Sequence, residues 1–275
     1  MTFSSSEITI EREGAIATLW LDRPDKFNAI SDEIWRSIPL ALDELAGDDE
    51  IRAVVLAGRG PHFCVGLDLQ AFDAGPATEE KPASRAVANL RTLETIGRLQ
   101  SVITAVSKCP MPVVAAIHGQ CLGAGVDLVS ACDIRVASAN SIFSIRETRI
   151  GLVADVGTLQ RLPKIVSAGH VAEMAYTGKD IDAERAEKIG LVNDVYASFE
   201  ATLAAARHLA GEIAANSPMA VRGTKFILQQ GEDLTTEQSL LLNRMYVMAT
   251  SLQSNDLKEA IRAIMEKRPP SFSGT

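Results

Sequence analysis

Two glycine-containing segments place small residues where predicted strands end, an arrangement that can expose backbone N–H groups to a ligand. The first covers residues 63–69 (FCVGLDL), and the second covers residues 119–125 (GQCLGAG). Small residues at the start of a helix let another molecule approach the backbone closely. The free N–H groups there, reinforced by the helix dipole, stabilise developing negative charge. The alternative is a tight turn in which the small residues serve only packing.

Three acidic residues after the second segment are candidates for acid–base chemistry, namely Asp127, Glu147 and Asp155. Carboxylates in one site can divide the roles of general base and general acid, and clustered like charges raise one another's pKa values. Each residue also has a structural interpretation. Asp127 and Asp155 stand where aspartate caps helices, and Glu147 has two neighbours, Arg146 and Arg149, with which it can form a surface ion pair.

The elements that must position these residues alternate between strand and helix patterns. Residues 8–12 and 15–21 alternate as a hairpin, and a helix with Ser31 as its N-cap follows. Short apolar runs at residues 52–57 and 112–117 are typical of buried strands. An amphipathic helix with apolar residues from Leu90 to Val106 lies between them. The alternation continues to about residue 197 and predicts α/β layers with mostly parallel strands.

The chain divides into two predicted parts, an α/β core over residues 1–197 and a helical C-terminal segment over residues 198–275. In the second part apolar residues recur only at helical spacing, which predicts helices over residues 201–215, 220–229, 234–251 and 256–267. Residues 74–82 are rich in Gly, Pro, Thr and Glu and are expected to be mobile.

Composition excludes several classes of function. The 275 residues are 47% hydrophobic and 23% charged, a balance typical of globular proteins. The net charge of −8 argues against a nucleic-acid partner, which requires a basic face. No apolar run reaches the ~18 residues that indicate a membrane-spanning helix, so no membrane partner is predicted.

The cysteines and the chain ends carry no signal for a metal or for sorting. None of the four cysteines forms a CxxC pair and no histidine cluster accompanies them, so no metal site is predicted. The N-terminal residues resemble neither a signal peptide nor a transit peptide. The C-terminal tripeptide is not a peroxisomal signal. A cytoplasmic location is therefore predicted.

The glycine-containing segments resemble those of the enoyl-CoA hydratase/isomerase (crotonase) family. Residues 115–133 are similar to its signature, and residues 63–69 are similar to its first oxyanion loop. Further similar segments occur in family order at residues 21–24 (LDRP), 28–29 (NA), 160–163 (QRLP) and 266–272 (EKRPPSF). The resemblance runs from about residue 8 to residue 272. It implies an α/β spiral of ββα repeats with a helical C-terminal segment, and a CoA thioester as substrate.

The resemblance also implies an oxyanion hole made of the backbone N–H groups of Leu67 and Ala124. Such a hole stabilises the enolate oxygen that forms when a proton leaves the carbon next to the thioester carbonyl, and one donor typically contributes ~2.7–4 kcal/mol. Family members often carry glycine where Ala124 stands, but alanine keeps the N–H donor. The residues implied in CoA binding are Lys26, Asn28, Ala29, Cys64, Gly66, Asp68 and Lys267.

Several further expectations follow from the family. Lys267 and its neighbour Arg268 can reach a phosphate of CoA, or they are solvated cations at a helix end. No cofactor is implied, since CoA is part of the substrate. Helical C-terminal segments of this family pack around a threefold axis, so the chain is expected to form a homotrimer or homohexamer.

The carboxylates separate the reactions within the family. In its hydratases two glutamates stand at the positions of Asp127 and Glu147 and hold the attacking water, and the position of Asp155 is small. The three carboxylates found here instead resemble the delta(3,5)-delta(2,4)-dienoyl-CoA isomerases, which serve fatty acid beta-oxidation. Moving two conjugated double bonds removes a proton at C2 and delivers one at C6, which are too far apart for one short side chain, so two carboxylates are expected to divide the work. Glu147 is assigned as base at C2 and Asp155 as acid at C6, with Asp127 shaping their surroundings, and the sequence leaves open which of the two is base and which is acid. The alternative is an enoyl-CoA hydratase. The charge and the carboxylates argue against a non-catalytic or RNA-binding member.

Overall fold

A six-stranded sheet forms the centre of the protein, whose computed structural model describes residues 3–69 and 84–275. The strands lie side by side in the order β1 (Ile8–Glu13), β2 (Ile16–Leu21), β3 (Ala53–Gly58), β4 (Val113–Ile117), β6 (Ile134–Ser138) and β9 (Asp194–Tyr196). The hairpin partners β1 and β2 are antiparallel, and every later pairing in this sheet is parallel. The predicted hairpin and the mostly parallel pairing are confirmed.

Helices cover both faces of this sheet and continue to the C-terminus. In the described residues they are α1 (Asp32–Ala46), α2 (Arg85–Lys108), α3 (Ala124–Ser130), α4 (Thr158–Arg161), α5 (Ala168–Thr177), α6 (Ala183–Lys188), α7 (Phe199–Ala214), α8 (Pro218–Gly231), α9 (Thr236–Ala249) and α10 (Asn255–Glu266). Short 3₁₀ turns occupy Pro24–Lys26, Glu147–Ile150, Leu162–Lys164 and Ser251–Gln253. The predicted cap of α1 is present, since Ser31 Oγ accepts a hydrogen bond of 3.2 Å from the N–H of Ile34.

A second, smaller sheet lies beside the first and gives the chain its repeating course. It contains β5 (Gln120–Leu122), β7 (Ile142–Ser144) and β8 (Ile181–Asp182), with β5 parallel to β7. The chain passes from β4 in the large sheet to β5 in the small one and then into α3. It repeats the step from β6 to β7. This succession agrees with the predicted ββα repeats, and it places the start of α3 directly after strand β5.

The parallel strands are buried on both faces, so their side chains alternate between two apolar clusters. Val54 and Leu56 of β3 pack in the cluster that includes α1, whereas Val55 packs in a cluster on the opposite face. In β4 the side chains of Ala115 and Val114 divide in the same way. This two-residue alternation is expected of a strand with no solvent-exposed face.

Two helices differ from the sequence expectation. The helices after residue 198 begin and end within a few residues of their predicted bounds, but α7 covers the sheet and does not belong only to an appended segment. Its buried Ala206 and Ala210 lie in the cluster with Val55. In α2 the buried residues Val102, Ile103 and Val106 lie in the C-terminal part, which joins the apolar cluster that includes α1. Leu90 and Leu93, nearer the start of the helix, are exposed.

Residues 74–82, which were expected to be mobile, lie outside the described residues. Within residues 3–69 and 84–275, none of the helices is both long enough and apolar enough to cross a bilayer.

The packing of α7 on the sheet gives a test of the fold. Ala206→Leu adds volume to a fully buried position, and overpacking of this kind should lower the free energy of unfolding by about 1–3 kcal/mol. Ala204→Leu places the same side chain on the exposed side of α7, where the effect should stay within about 0.5 kcal/mol. Urea unfolding at one protein concentration measures both. Equal effects at the two positions would contradict this packing.

Candidate active site

The two glycine-containing turns meet each other in the structure. Gly66 has φ +103° and Gly123 has φ +50°, conformations that L side chains rarely adopt. A Cβ placed on Gly123 would lie 3.8 Å from Gly66 Cα, and a Cβ placed on Gly66 would lie 3.3 Å from the carbonyl oxygen of Leu122. The backbone conformation therefore favours glycine at both positions, and the approach of the Leu122 carbonyl adds a second reason at Gly66.

Backbone hydrogen bonds hold this contact in place. The N–H of Cys64 donates to the carbonyl of Gln120 at 3.0 Å, and the N–H of Leu122 donates to the carbonyl of Cys64 at 2.9 Å. The Gly66 carbonyl accepts from Ile30 N–H at 2.8 Å. The first turn is thus fixed between the start of α1 and the strand β5.

The predicted oxyanion donors stand on either side of this contact. Leu67 follows Gly66, and Ala124 is the first residue of α3. Ala124 N lies 4.0 Å from the Cβ position of Gly66. Neither the N–H of Leu67 nor that of Ala124 donates to an acceptor within the described residues. Two unused donors beside a glycine contact can stabilise a developing oxyanion.

Glu147 lies next to this pair of donors. A Cβ on Gly123 would be 3.2 Å from Glu147 Oε1, which places the carboxylate directly beside the turn that leads to Ala124. Its Oε2 is buried and has no hydrogen-bond partner among the described residues. Burial raises the pKa of Glu147, and the charge of Asp155 raises it further. The alternative of a surface ion pair with Arg146 is not realised, since Arg146 pairs with Asp180 at 2.9 Å.

Asp127 is fully buried on the first turn of α3. Its Oδ1 accepts two hydrogen bonds of 2.6 Å, one from the N–H and one from the hydroxyl of Thr158. Its Oδ2 has no partner in the described part of the chain. Burial raises the pKa of Asp127 to about 6; the Thr158 hydrogen bonds oppose this rise, and the charge of Glu147 adds to it. The side chain of Asp127 accepts from the first N–H of α4, so it caps that helix and not α3, in which Asp127 itself lies.

Asp155 is exposed and precedes α4. The interpretation of Asp155 as the N-cap is wrong, because Gly157 occupies the N-cap and no side chain of the turn caps the helix. The backbone carbonyl of Asp155 accepts a 2.6 Å hydrogen bond from Gln100 Nε2 of α2. Its carboxylate is close enough to Glu147 for its charge to act on that group.

Two of the residues expected in CoA binding have side chains that are buried within the protein. Asn28 is fully buried, accepts from Arg23 N–H at 2.9 Å, and donates to the carbonyls of Arg59 and His62, both at 2.8 Å. The Asn28 amide therefore links three backbone groups of the protein, and both of its N–H groups are already used, so none is left to donate to CoA. Cys64 is fully buried too, and burial raises the pKa of its thiol to about 12.

The other expected CoA contacts lie at or near the surface. The carbonyl of Ala29 accepts from Arg23 at 3.1 Å, and the carboxylate of Asp68 pairs with Arg23 at 2.7 Å. Lys26 and Lys267 are exposed, and each belongs to the end of a helical turn. Their CoA contacts stay predictions.

Arg268, the second cation expected near CoA phosphate, is held within its own helix end. Its guanidinium forms hydrogen bonds with Glu259 at 2.6 and 3.1 Å and with Glu266 at 2.6 Å. No group of histidine, cysteine and acidic side chains in the described ranges is arranged to hold a metal.

Sequence reasoning missed Thr158 and Arg23. In the structure Gly157 has φ +132° and occupies the N-cap of α4, and Thr158 follows it. In the sequence the only signal for this arrangement is a Gly-Thr pair at the start of a predicted helix. Arg23 connects Glu7 at 2.9 Å with Asp68, an ion pair between segments distant in sequence that no local pattern indicates.

Comparison with known proteins agrees with this geometry. The sequence pattern of the enoyl-CoA hydratase/isomerase family matches residues 11–275. The protein named delta(3,5)-delta(2,4)-dienoyl-CoA isomerase, mitochondrial, of Dictyostelium discoideum is 41% identical over 257 residues, which are 94% of this chain and 87% of that protein. The chain belongs to the enoyl-CoA hydratase/isomerase family. The family resemblance seen in the motifs is confirmed.

Two further relatives extend the comparison of this family member. The delta(3,5)-delta(2,4)-dienoyl-CoA isomerase, peroxisomal, of Arabidopsis thaliana is 37% identical and covers 95% of this chain and 94% of its own length. The crystal structure of a putative enoyl-CoA hydratase from Streptomyces coelicolor A3(2) superposes with a TM-score of 0.90 at 32% identity, over 100% of this chain and 97% of that one. The predicted crotonase-like α/β fold is confirmed.

The names of these relatives contradict the predicted cytoplasmic location. The Dictyostelium protein is named as mitochondrial and the Arabidopsis protein as peroxisomal. The prediction rested on the absence of a familiar sorting motif, and an absent motif does not define a compartment.

The buried Asp127 predicts a specific dependence of stability on pH. Its folded-state pKa of about 6 lies above the ordinary value of 3.8, so the folded protein holds this proton more tightly than the unfolded chain. The resulting stabilisation is present below pH 3.8 and is lost as the pH rises through 6. Between pH 5 and pH 8 the wild-type protein should lose about 1 kcal/mol more of its unfolding free energy than Asp127→Asn.

Urea unfolding at both pH values, at one fixed protein concentration, measures this difference. Asp49→Asn, at an exposed position, is the matched control and should follow the wild-type protein. An Asp127→Asn profile parallel to wild type would show that burial does not raise this pKa.

Proposed function

We propose that the protein is a delta(3,5)-delta(2,4)-dienoyl-CoA isomerase that converts 3,5-dienoyl-CoA into 2,4-dienoyl-CoA in fatty acid beta-oxidation. The observation that carries this proposal is that Glu147 lies beside a pair of unused N–H donors, and that Asp155, in a more exposed environment, is close enough for its charge to act on Glu147. Glu147 is partly buried beside the donors, Asp155 is exposed, and the charge of one reaches the other. The relatives with this name, at 41% and 37% identity, support the same reaction.

The first half of the reaction removes a proton from C2 of the thioester. Glu147 takes this proton, and the C–H electron pair moves into the chain to form a dienolate. The negative charge that collects on the thioester oxygen is stabilised by the N–H groups of Leu67 and Ala124. The raised pKa of Glu147 suits a general base, because it brings the proton affinity of the carboxylate nearer to that of the carbon acid.

The second half delivers a proton to C6, the far end of the conjugated dienolate. Asp155 in its protonated form donates there, and the double bonds come to rest at C2–C3 and C4–C5. Each turnover leaves a proton on Glu147 and removes one from Asp155. Exchange with water restores both, and the exposure of Asp155 allows this exchange. No cofactor is needed, since the reaction moves only protons.

Two enzyme variants test these roles in separate halves of the reaction. With 3,5-octadienoyl-CoA and no added cofactor, the wild-type protein should form the conjugated 2,4-dienoyl thioester, which is followed by its absorbance. Asp155→Asn and Glu147→Gln should each lower turnover by about 10²–10⁴-fold, the usual contribution of a general acid or base. In deuterated water Asp155→Asn should keep exchange of the C2 proton, whereas Glu147→Gln should lose it.

The same assay separates the isomerase from the alternative hydratase. Efficient addition of water to crotonyl-CoA without conversion of the dienoyl substrate would overturn the proposed reaction. An Asp155→Asn variant that isomerises within about threefold of wild type would remove Asp155 from the mechanism, since this lies well below the range for a general acid.

For the assembly we propose a homotrimer or homohexamer formed through the C-terminal helices. The helix α9 has no buried residue, and large apolar side chains on α9 and α10 are exposed in the single chain. Contiguous apolar surface of this kind is typical of protein–protein interfaces. The exposed side chains are Leu240, Leu241, Met245, Met248, Leu257, Ile261, Ile264 and Met265.

Light scattering at micromolar concentration should give three or six times the mass of one chain. Ile264→Asp buries a charge at the proposed interface and should shift the protein to smaller species. Lys258→Gln, at an exposed polar position of the same helix, should leave the mass unchanged. A monomeric wild-type protein would refute the assembly.

A further inference from the structure

One carboxylate oxygen connects the two halves of the candidate site. Asp127 Oδ1 accepts both hydrogen bonds that Thr158 can donate, from its N–H and from its hydroxyl, each at 2.6 Å. Asp127 is fully buried and Thr158 is 1% exposed, so water does not compete for these bonds. Hydrogen bonds to a charged group are among the stronger ones in proteins.

The turn that contains Thr158 has no other cap. The N-cap of α4 is Gly157, which has no side chain, and a Cβ at this position would overlap the guanidinium of Arg161. The first N–H of α4 is therefore satisfied by a residue distant in sequence, Asp127. Removing that acceptor would leave a buried N–H unpaired, which costs free energy.

Each side of this connection carries a group of the proposed reaction. On one side, α3 begins with the oxyanion donor Ala124 and presents Asp127 one turn later. On the other side, Thr158 closely follows the proposed acid Asp155 on the same turn. The connection therefore joins the helix that begins at Ala124 to the segment that carries Asp155.

We propose that Thr158 is a positioning residue, whose hydroxyl and N–H on Asp127 hold the Asp155 turn at the separation that C6 protonation requires. This proposal rests on the isomerase function proposed above. It assigns Thr158 no contact with substrate. Its action is on the second proton transfer, and the first, at Glu147, should be largely independent of it.

The charges around Asp127 indicate why the Thr158 hydroxyl is needed to keep this carboxylate ionised. Glu147 raises the pKa of Asp127, whereas Arg161 of α4 and the two Thr158 donors lower it. Burial raises the pKa values of the Cys64 and Cys121 thiols, and the charge of Asp127 raises them further. Loss of the hydroxyl removes the largest influence that keeps Asp127 ionised, and a protonated Asp127 is a weaker acceptor for the remaining N–H.

The test compares Thr158→Val, which keeps the shape and the N–H, with Thr158→Ser, which keeps both donors. With 3,5-octadienoyl-CoA in deuterated water, isomerisation by Thr158→Val should fall at least about tenfold, as expected for one lost hydrogen bond to a charged group. Exchange at C2 should stay within about threefold of wild type, so the ratio of exchange to isomerisation rises. Thr158→Ser should restore the ratio.

Thr202→Val is the matched control, since Thr202 is equally buried and its hydroxyl donates to the Ser198 carbonyl at 2.8 Å within α7. The ratio of C2 exchange to isomerisation in Thr202→Val should equal that of the wild-type protein. Thr158→Ala replaces the valine variant if that variant does not fold.

The outcomes distinguish this proposal from the proposed function. An active wild-type enzyme with an unchanged ratio in Thr158→Val, or with exchange and isomerisation reduced equally, would overturn the role of Thr158 alone. A wild-type protein that does not isomerise the dienoyl substrate would overturn the proposed function, and the role of Thr158 with it.

Discussion

The close contact between Gly66 and Gly123 is the constraint around which the candidate site is arranged. Both glycines adopt a positive φ that L side chains rarely adopt, and the hydrogen bonds between Cys64 and strand β5 keep the two turns at that distance. The position of Gly123 fixes where α3 starts, and hence where the N–H of Ala124 points. It also fixes the first turn of α3, which carries Asp127. An L side chain at either glycine would strain the backbone of its turn, and one at Gly66 would also press on the Leu122 carbonyl, so both changes would disturb the donors.

The three carboxylates occupy a gradient of environments, and this gradient divides their roles. Asp127 is buried and accepts two hydrogen bonds, Glu147 is partly buried with one unpartnered oxygen, and Asp155 is exposed. Carboxylates whose surroundings differ hold their protons with different affinities, and this difference can separate the roles of base and acid. Because burial differs between them, one group can accept a proton beside the oxyanion hole while another exchanges protons with solvent.

Much of the architecture was predictable because its causes are local. The apolar runs of β3 and β4, the cap at Ser31 and the spacing of the C-terminal helices each follow from a short stretch of sequence. The packing of α7 against Val55 was not predictable, since its small alanine face is no different in pattern from a solvent-side face. The exposure of Leu90 was not predictable. Helical periodicity identifies the apolar side of α2, but it does not tell which turns of the helix other elements cover.

In the site, residue types were predictable and pairings were not. The three carboxylates and the two glycine turns were recognised from motifs, but nothing local shows that the Asn28 amide is used by three backbone groups. The cap interpretation of Asp155 failed for a similar reason. Capping rules relate a helix start to residues nearby in the sequence, whereas the first N–H of α4 donates to Asp127, which is distant in the sequence.

The use of Asp127 also bears on why this scaffold should move protons and not add water. In the hydratases that the motifs resemble, the residue at this position and the one at Glu147 together hold a water. Here the side chain is shorter by one methylene, and Oδ1 accepts two hydrogen bonds from Thr158. Only Oδ2 is left without a hydrogen-bond partner in the described part of the chain, and burial raises the pKa of Asp127 to about 6. One oxygen of this carboxylate is thus used within the protein and is less available to hold a water together with Glu147, whereas Asp155, which precedes the helix that this carboxylate caps, is the second proton carrier of the proposed isomerase.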